Sequence, residues 1–320
     1  MKAIRIHEDG GPEVLRYEDA PDPVAGPDEV LIRLRAASLN HIDLWVRSGR
    51  PSAPKPRILG ADGAGIVESG PGFAPGDRVV INPGIDRGDV VAVFGEHMDG
   101  TYAELVAVPQ MNVYPIPDRM SFEEAAAFPL VFVTAYRMLV TKAQVQAGEW
   151  VLIWGIGGGV AMAANAIARA LGARTIVTSS SDEKLARVEA DVKVDHGSED
   201  VIEAVKAATE GRGADVVVEH VGEATWRRTL QAVRSAGRIT VCGATSGPNP
   251  PAELHRIWWK QLTIYGSTMG TKQDFDGVYD LVASGNAKPL IDEVFPLTEA
   301  RAAHERMEAG EQLGKIVLTI

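Results

Sequence analysis

The stretch Val151-Leu152-Ile153-Trp154-Gly155-Ile156-Gly157-Gly158-Gly159-Val160 sets the reading of this chain. A strand-length apolar run breaks into glycines. An alanine-rich helical segment follows from Ala161 to Leu171, and Gly172 stands where a helix C-terminus favours glycine. Strand, glycine turn and helix together present backbone N–H groups and a helix N-terminus to a pyrophosphate. The spacing departs from the usual G-x-G-x-x-G. Gly155 and Gly157 fit the first two positions, Val160 stands at the third, and the next small residue, Ala161, comes one position late. Taken alone, the segment also reads as a tight β–α turn with no ligand.

Working outward, the chain from about residue 129 alternates helix with buried strand. The strand candidates are Trp150–Trp154, Thr175–Thr178, Val192–Val194, Asp215–Glu219, Arg238–Cys242 and Leu262–Gly266. Helical stretches at Glu183–Ala190, Val201–Thr209 and Trp226–Arg234 lie between them, a pattern that predicts a doubly wound parallel sheet. Residues 1 to about 128 have another texture. Short β-like runs such as Val30–Leu34, Gly65–Glu68 and Arg78–Ile81 are separated by turn signals at Gly10-Gly11-Pro12 and Gly70-Pro71-Gly72. That predicts a compact barrel-like unit. Thr298–Ile320 reads as a helix followed by the strand Lys315–Leu318, returning to the first unit. The predicted class is therefore α/β, with a β-barrel unit (1–128 and 268–320) and a parallel-sheet unit (129–267).

At 320 residues the chain has room for two domains. A net charge of −11 argues against a nucleic-acid or anionic-membrane binder. Cys242 is the single cysteine, so neither an intrachain disulfide nor a multi-cysteine zinc site can form. Met1–Glu8 carries no signal-peptide core and no run reaches membrane-span length, so a cytoplasmic protein is expected.

An ordered set of motifs resembles the medium-chain dehydrogenase/reductase superfamily over nearly the whole chain. The set comprises Asn40-His41-Ile42-Asp43, Ile58–Gly65, Gly76-Asp77-Arg78-Val79, Gly100–Glu104, Thr134-Ala135-Tyr136, the glycine loop, Gly243-Ala244, Gly266-Ser267 and Gly314–Leu318. The resemblance implies a GroES-like β-barrel catalytic domain plus a Rossmann domain, and a homodimer or homotetramer. It also locates what is missing. The catalytic zinc ligands of the family fall on Asn40, Ala61 and Leu130, the relay hydroxyl falls on Ile42, and the four-cysteine lobe is replaced by the shorter Gly84–Val90. No zinc is expected. The zinc-free quinone oxidoreductase branch is the better likeness. Its Asn-x-x-Asp-x-Tyr-x-Arg-x-Gly run appears as Asn40–Gly49 with Trp45 at the tyrosine position. Its seven-residue glycine loop appears as Gly155–Ala161, which explains the late small residue.

The resemblance implies cofactor contacts at Thr134, Gly155, Gly157, Gly158, Gly159, Val160, Gly243, Ala244, Gly266 and Ser267, with Val221 covering the adenine. The second strand ends in Ser179-Ser180-Ser181 where an NAD-specific protein carries an acid, and Asp182 reads as a helix N-cap. Hydroxyls at Ser179 and Ser180 with Lys184 nearby point to NADPH ahead of NADH. Lys315 either reaches a phosphate or ends a turn. Asn40 is the first catalytic candidate, a donor for a developing enolate, against a turn amide bonding local backbone. His41 either meets the pyrophosphate or protonates product, and Asp43 either acts directly or orients neighbours. Trp45 and Asp62 belong to the substrate pocket, whose shape depends on how Trp45, Phe94 and the shortened Gly84–Val90 segment pack. The expected function is NADPH-dependent, zinc-independent hydride transfer to a quinone or an α,β-unsaturated carbonyl, a small-molecule acceptor. An alcohol or aldehyde enzyme, and a nucleotide-binding protein with little catalysis, are the alternatives.

Overall fold

Trp150–Ile153 is the first strand (β1) of a six-stranded parallel sheet with Arg174–Ser179 (β2), Val192–Asp195 (β3), Ala214–Glu219 (β4), Val233–Val241 (β5) and Thr263–Gly266 (β6). Their order across the sheet is β3-β2-β1-β4-β5-β6, all parallel, which is the doubly wound order of the expected Rossmann domain. Every residue of β1 and β4 is buried, as strands covered by helices on both faces require. The computed structural model describes residues 1–88 and 90–320; Asp89, inside the Gly84–Val90 segment, lies outside the described residues.

Two local readings change. The helix expected over Glu183–Ala190 ends at Ala186, and its N-cap is Ser181, not Asp182. Ser181 has the extended backbone a cap needs, and its Oγ accepts from the Lys184 N–H at 3.3 Å. The helix expected over Trp226–Arg234 covers Glu223–Ala232, after which Val233 and Arg234 open β5.

In the first unit, the long strand Glu29–Ser38 pairs antiparallel with Asp62–Ser69, Leu105–Pro109 and Lys315–Thr319. Val30, Ile32, Leu34, Val67, Val79 and Ile81 fill the inside, and Phe94, 2% exposed, belongs to this core. The register Val317↔Ser38 is the important one, because it carries Lys315 to the turn at Leu39-Asn40. By chain membership, one unit comprises Met1–Val131, Thr271–Phe275 and Pro289–Ile320; the other comprises Phe132–Gly270 and Asp276–Lys288. The helix Lys272–Ala283 is thus divided, where the sequence pattern assigns all of 268–320 to the barrel.

Candidate active site

The helix His41–Arg47 starts at Asn40, which is extended (φ −133°, ψ 156°) and 3% exposed. The Asp43 carboxylate reaches back one turn to accept from the Asn40 backbone N–H at 2.8 Å. It also accepts from the Gly60 N–H at 3.1 Å and the Tyr102 hydroxyl at 3.0 Å. With three donors on a fully buried carboxylate, Asp43 ties the helix to the Gly60 turn. Burial pushes its pKa up to about 7, against the pull of the Asn40 N–H and the Tyr102 hydroxyl. Burial, then Asp43, pushes the Tyr102 phenol well above its usual range. Gly60 sits at φ +96°, and a Cβ there would lie 2.3 Å from the Tyr102 ring, so the turn needs glycine.

The Asn40 side chain leaves the local backbone and faces two charged groups. Its Nδ2 donates to Asp62 Oδ2 at 2.9 Å, and its Oδ1 accepts from Lys315 Nζ at 2.6 Å. A carboxylate can only accept and an ammonium can only donate, so the amide orientation is fixed by chemistry. Asp62 is 0% exposed; it also accepts from Ser38 Oγ at 3.0 Å and the Leu130 N–H at 2.8 Å. Lys315 donates further to Leu39 O at 2.6 Å and Asp62 Oδ2 at 3.2 Å. Burial lowers its pKa while Asp62 holds it up. The Lys315 amine is thus engaged by a carboxylate, an amide and a carbonyl. His41 and Trp45 lie on the same helix with ring centroids 6.3 Å apart, and Trp45 is 41% exposed. Ile42 packs on an apolar cluster with Leu39, Leu44 and Ile58.

In the second unit Gly155 turns the chain at φ +60°. Its N–H donates to Thr178 Oγ1 at 3.2 Å, and the Ile156 N–H to Thr178 O at 2.8 Å. Gly158 is the N-cap of the helix Gly159–Ala170, whose first-turn N–H groups have no intrahelical acceptor. Ala161 is fully buried against the sheet, as the last small residue of the loop should be. A Cβ at Gly155 would lie 3.8 Å from Val221 and 3.7 Å from His220, so both side chains border the loop. His220 Nε2 lies 2.8 Å from Trp154 O and therefore carries the proton. Burial lowers its pKa, keeping the ring neutral.

Ser179 ends β2, and its Oγ accepts from the Ser181 N–H at 3.1 Å; Ser180 follows, exposed. Ser267 Oγ after β6 and His196 Nδ1 after β3 are among the buried polar atoms with no partner among the described residues. Both lie at carboxyl ends of parallel strands, where open α/β sheets bind ligands, and the His196 N–H donates to Ser179 O at 2.9 Å. Such orphans fit a dinucleotide. Ser267 is among the expected contacts; His196 and His220 are not, and only their strand-end positions hint at them in the sequence. Gly243 and Ala244 follow β5, next to His220 and Gly222. Thr134 is buried on the helix Pro129–Tyr136. Burial pushes the Cys242 thiol up to about 12, so it is inert.

The zinc implied by the fold does not fit this donor set. Ala61 and Leu130 have no ligating atom and Asn40 Oδ1 is taken by an ammonium. Among the described residues no cluster of three His, Cys, Asp or Glu could hold a metal, and no helix is long and apolar enough to cross a membrane.

Family models agree with both units. One described as an alcohol dehydrogenase GroES-like domain matches residues 26–118, and one described as a zinc-binding dehydrogenase matches 159–284. The chain is 34% identical to a quinone oxidoreductase of Pseudomonas aeruginosa over 334 residues, covering 99% of each. A solved NAD-dependent alcohol dehydrogenase is 42% identical with a TM-score of 0.96, both chains fully covered. A solved quinone oxidoreductase of Pseudomonas syringae is 34% identical with a TM-score of 0.86, covering 100% of this chain and 99% of that one.

Proposed function

The chain belongs to the medium-chain dehydrogenase/reductase superfamily as an NAD(P)-dependent, quinone oxidoreductase-like oxidoreductase, and from that premise we propose that it reduces a quinone or an α,β-unsaturated carbonyl with NADPH and without a metal. The observation that carries this reading is the Lys315 ammonium bonded to Asn40 and Asp62 in a pocket whose zinc-ligand positions hold no zinc donor set. Alcohol oxidation in this family's zinc enzymes needs a Lewis acid for an alkoxide. Conjugate reduction needs less. The β-carbon takes a hydride as the donor C–H bond of the dinucleotide breaks, the C=C pair shifts toward the carbonyl carbon, the C=O pair moves onto oxygen, and the enolate then takes a proton from water.

NADPH supplies the hydride when bound. Asn40 is the catalytic residue of this proposal: one Nδ2–H is spent on Asp62, and the other has no acceptor among the described residues and is free for an enolate oxygen. Trp45 offers a flat exposed face for an unsaturated ring. Gly155, Gly157, Gly158, Gly159 and Val160 would hold the pyrophosphate on backbone N–H groups, with Val221, Gly243, Ala244, Gly266 and Ser267 along the strand ends and His41 and Thr134 as further contacts. Ser179, Ser180, Lys184 and His196 would receive the 2′-phosphate.

The test is NADPH oxidation with 1,4-benzoquinone, 9,10-phenanthrenequinone, 2-cyclohexenone and a simple aldehyde, with added zinc and with chelator. Turnover of a quinone or enone, indifferent to both additions, is expected. Turnover of the aldehyde alone, or only with zinc, refutes the reading. It favours an alcohol or aldehyde enzyme, the activity for which the 42%-identical solved protein is named.

The same premise extends to assembly. The edge strand β6 is half-exposed, and Leu254, Trp258 and Trp259 on the helix before it in the chain are 67%, 63% and 77% exposed. We propose a homodimer covering this face. Light scattering expects twice the chain mass for the native protein and a monomer for Trp259→Glu; a native monomer refutes it.

A further inference from the structure

Lys315 makes three hydrogen bonds with its three ammonium protons, to Leu39 O, Asn40 Oδ1 and Asp62 Oδ2. It is 2% exposed, and its charge faces a fully buried carboxylate. No proton is left over for a cofactor phosphate or a substrate. The acceptors around Nζ are all oxygens, and Ser38 Oγ and the Leu130 N–H complete the shell of Asp62. This cation is surrounded by oxygens, beside a carboxylate, at the turn that carries Asn40.

We infer that the Lys315 ammonium is the built-in cation of this pocket, a positioning residue that acts through Asn40 and restricts the enzyme to acceptors whose reduction needs a hydrogen-bond donor and no Lewis acid. The inference deepens the proposed reductase reading and rests on it for its catalytic half. Its physical content is simple. The ammonium neutralises Asp62, which would otherwise be an unpaired buried charge. It also holds Asn40 Oδ1, so the amide cannot flip, and the free Nδ2–H keeps one direction. By withdrawing electron density from Oδ1 it sharpens that N–H as a donor. An ammonium has no empty orbital, so it cannot bind an alkoxide or a water as a Lewis acid.

The experiment compares native protein with Lys315→Met and Lys315→Ala. NADPH affinity is read by fluorescence titration, and kcat and KM are read with the best acceptor of the panel. For Lys315→Met the expectation is a cofactor Kd within about twofold, KM little changed, and kcat down about 10- to 100-fold, the usual cost of removing an outer partner of a reacting group. n-Propylammonium, which replaces the atoms deleted in Lys315→Ala, restores kcat in that variant, and tetramethylammonium, with no N–H, does not. A tenfold loss of NADPH affinity with kcat retained makes Lys315 a phosphate ligand and overturns the inference; so does an unchanged kcat.

If Lys315→Met fails to fold, the orphaned Asp62 charge is the expected reason. The double variant Lys315→Met/Asp62→Asn then folds, and its kcat stays as low as expected of the single change. A native-level kcat in the double variant overturns the inference. If the native protein reduces no acceptor, the reductase reading fails alone. The cation reading is then decided by melting: n-propylammonium raises the Tm of Lys315→Ala and not of the native chain, and no rise overturns it.

Discussion

Replacing His304 with asparagine should change how the stability of the first unit depends on pH. His304 is 0% exposed, and its Nδ1 lies 2.9 Å from Arg47 Nη1. A guanidinium only donates, so Nδ1 accepts and the ring is neutral with its proton on Nε2, which has no partner among the described residues. The Tyr102 ring packs edge-on at 5.9 Å. Burial first, and the Arg47 charge second, push the His304 pKa from 6.5 down to about 3. The unfolded chain therefore binds a proton that the folded chain refuses between those values. Stability from this group is complete above pH 6.5 and falls as the pH drops toward 3. Each pH unit is worth about 1.4 kcal/mol, so at pH 5 the deficit is about 2 kcal/mol.

The asparagine of this variant would keep an oxygen acceptor near the Nδ1 position and remove the titration. His304→Asn should lose stability at pH 7.5 through the smaller side chain, by about 1–3 kcal/mol. The gap to the native protein should then narrow by about 2 kcal/mol at pH 5. Urea unfolding followed by Trp45, the one tryptophan of the first unit, measures the gap at both pH values. Subtracting the variant cancels every other titrating group. A gap equal at pH 7.5 and pH 5 refutes the argument, because His304 would then charge as readily folded as unfolded.

Asp43 has the opposite sign. Its folded pKa is raised to about 7, so its contribution is present at low pH and lost as the pH rises through 7. Asp43→Asn should remove a fall of about 2.7 kcal/mol between pH 5 and pH 8, measured by the same urea curves; an unchanged fall would mean that the three donors, and not burial, set its charge. Ser179→Asp should weaken NADPH by at least about tenfold, or 1.4 kcal/mol, and favour NADH, checked by fluorescence titration with both. Gly60→Ala should cost about 2–4 kcal/mol through positive φ and collision with Tyr102, read as a lower Tm; a Tm within a degree of native would show that the turn relaxes cheaply.

The parallel-sheet unit is legible in the sequence because its signals are local. Buried strands are continuous apolar runs, and Gly155–Gly159 announce the turn that follows β1. The absence of zinc donors at Asn40, Ala61 and Leu130 is legible for the same reason, once the motif register is known. The partners of Lys315 are not legible because Asn40 and Asp62 lie 275 and 253 positions away, and strand pairing brings them together. Arg47 and His304, 257 apart, are invisible for that reason. The cap of the Asp182–Ala186 helix is missed by one residue, since Ser181 and Asp182 are both good caps and backbone conformation chose between them.

The strand Lys315–Thr319 follows the whole of Phe132–Gly270 in the chain, yet it belongs to the unit that begins with Met1. On the ribosome the Rossmann unit has all of its strands first. The barrel, although started earlier, waits with Asp62 uncompensated until Lys315 emerges. The unit encoded first is completed last, when Lys315 reaches Asp62.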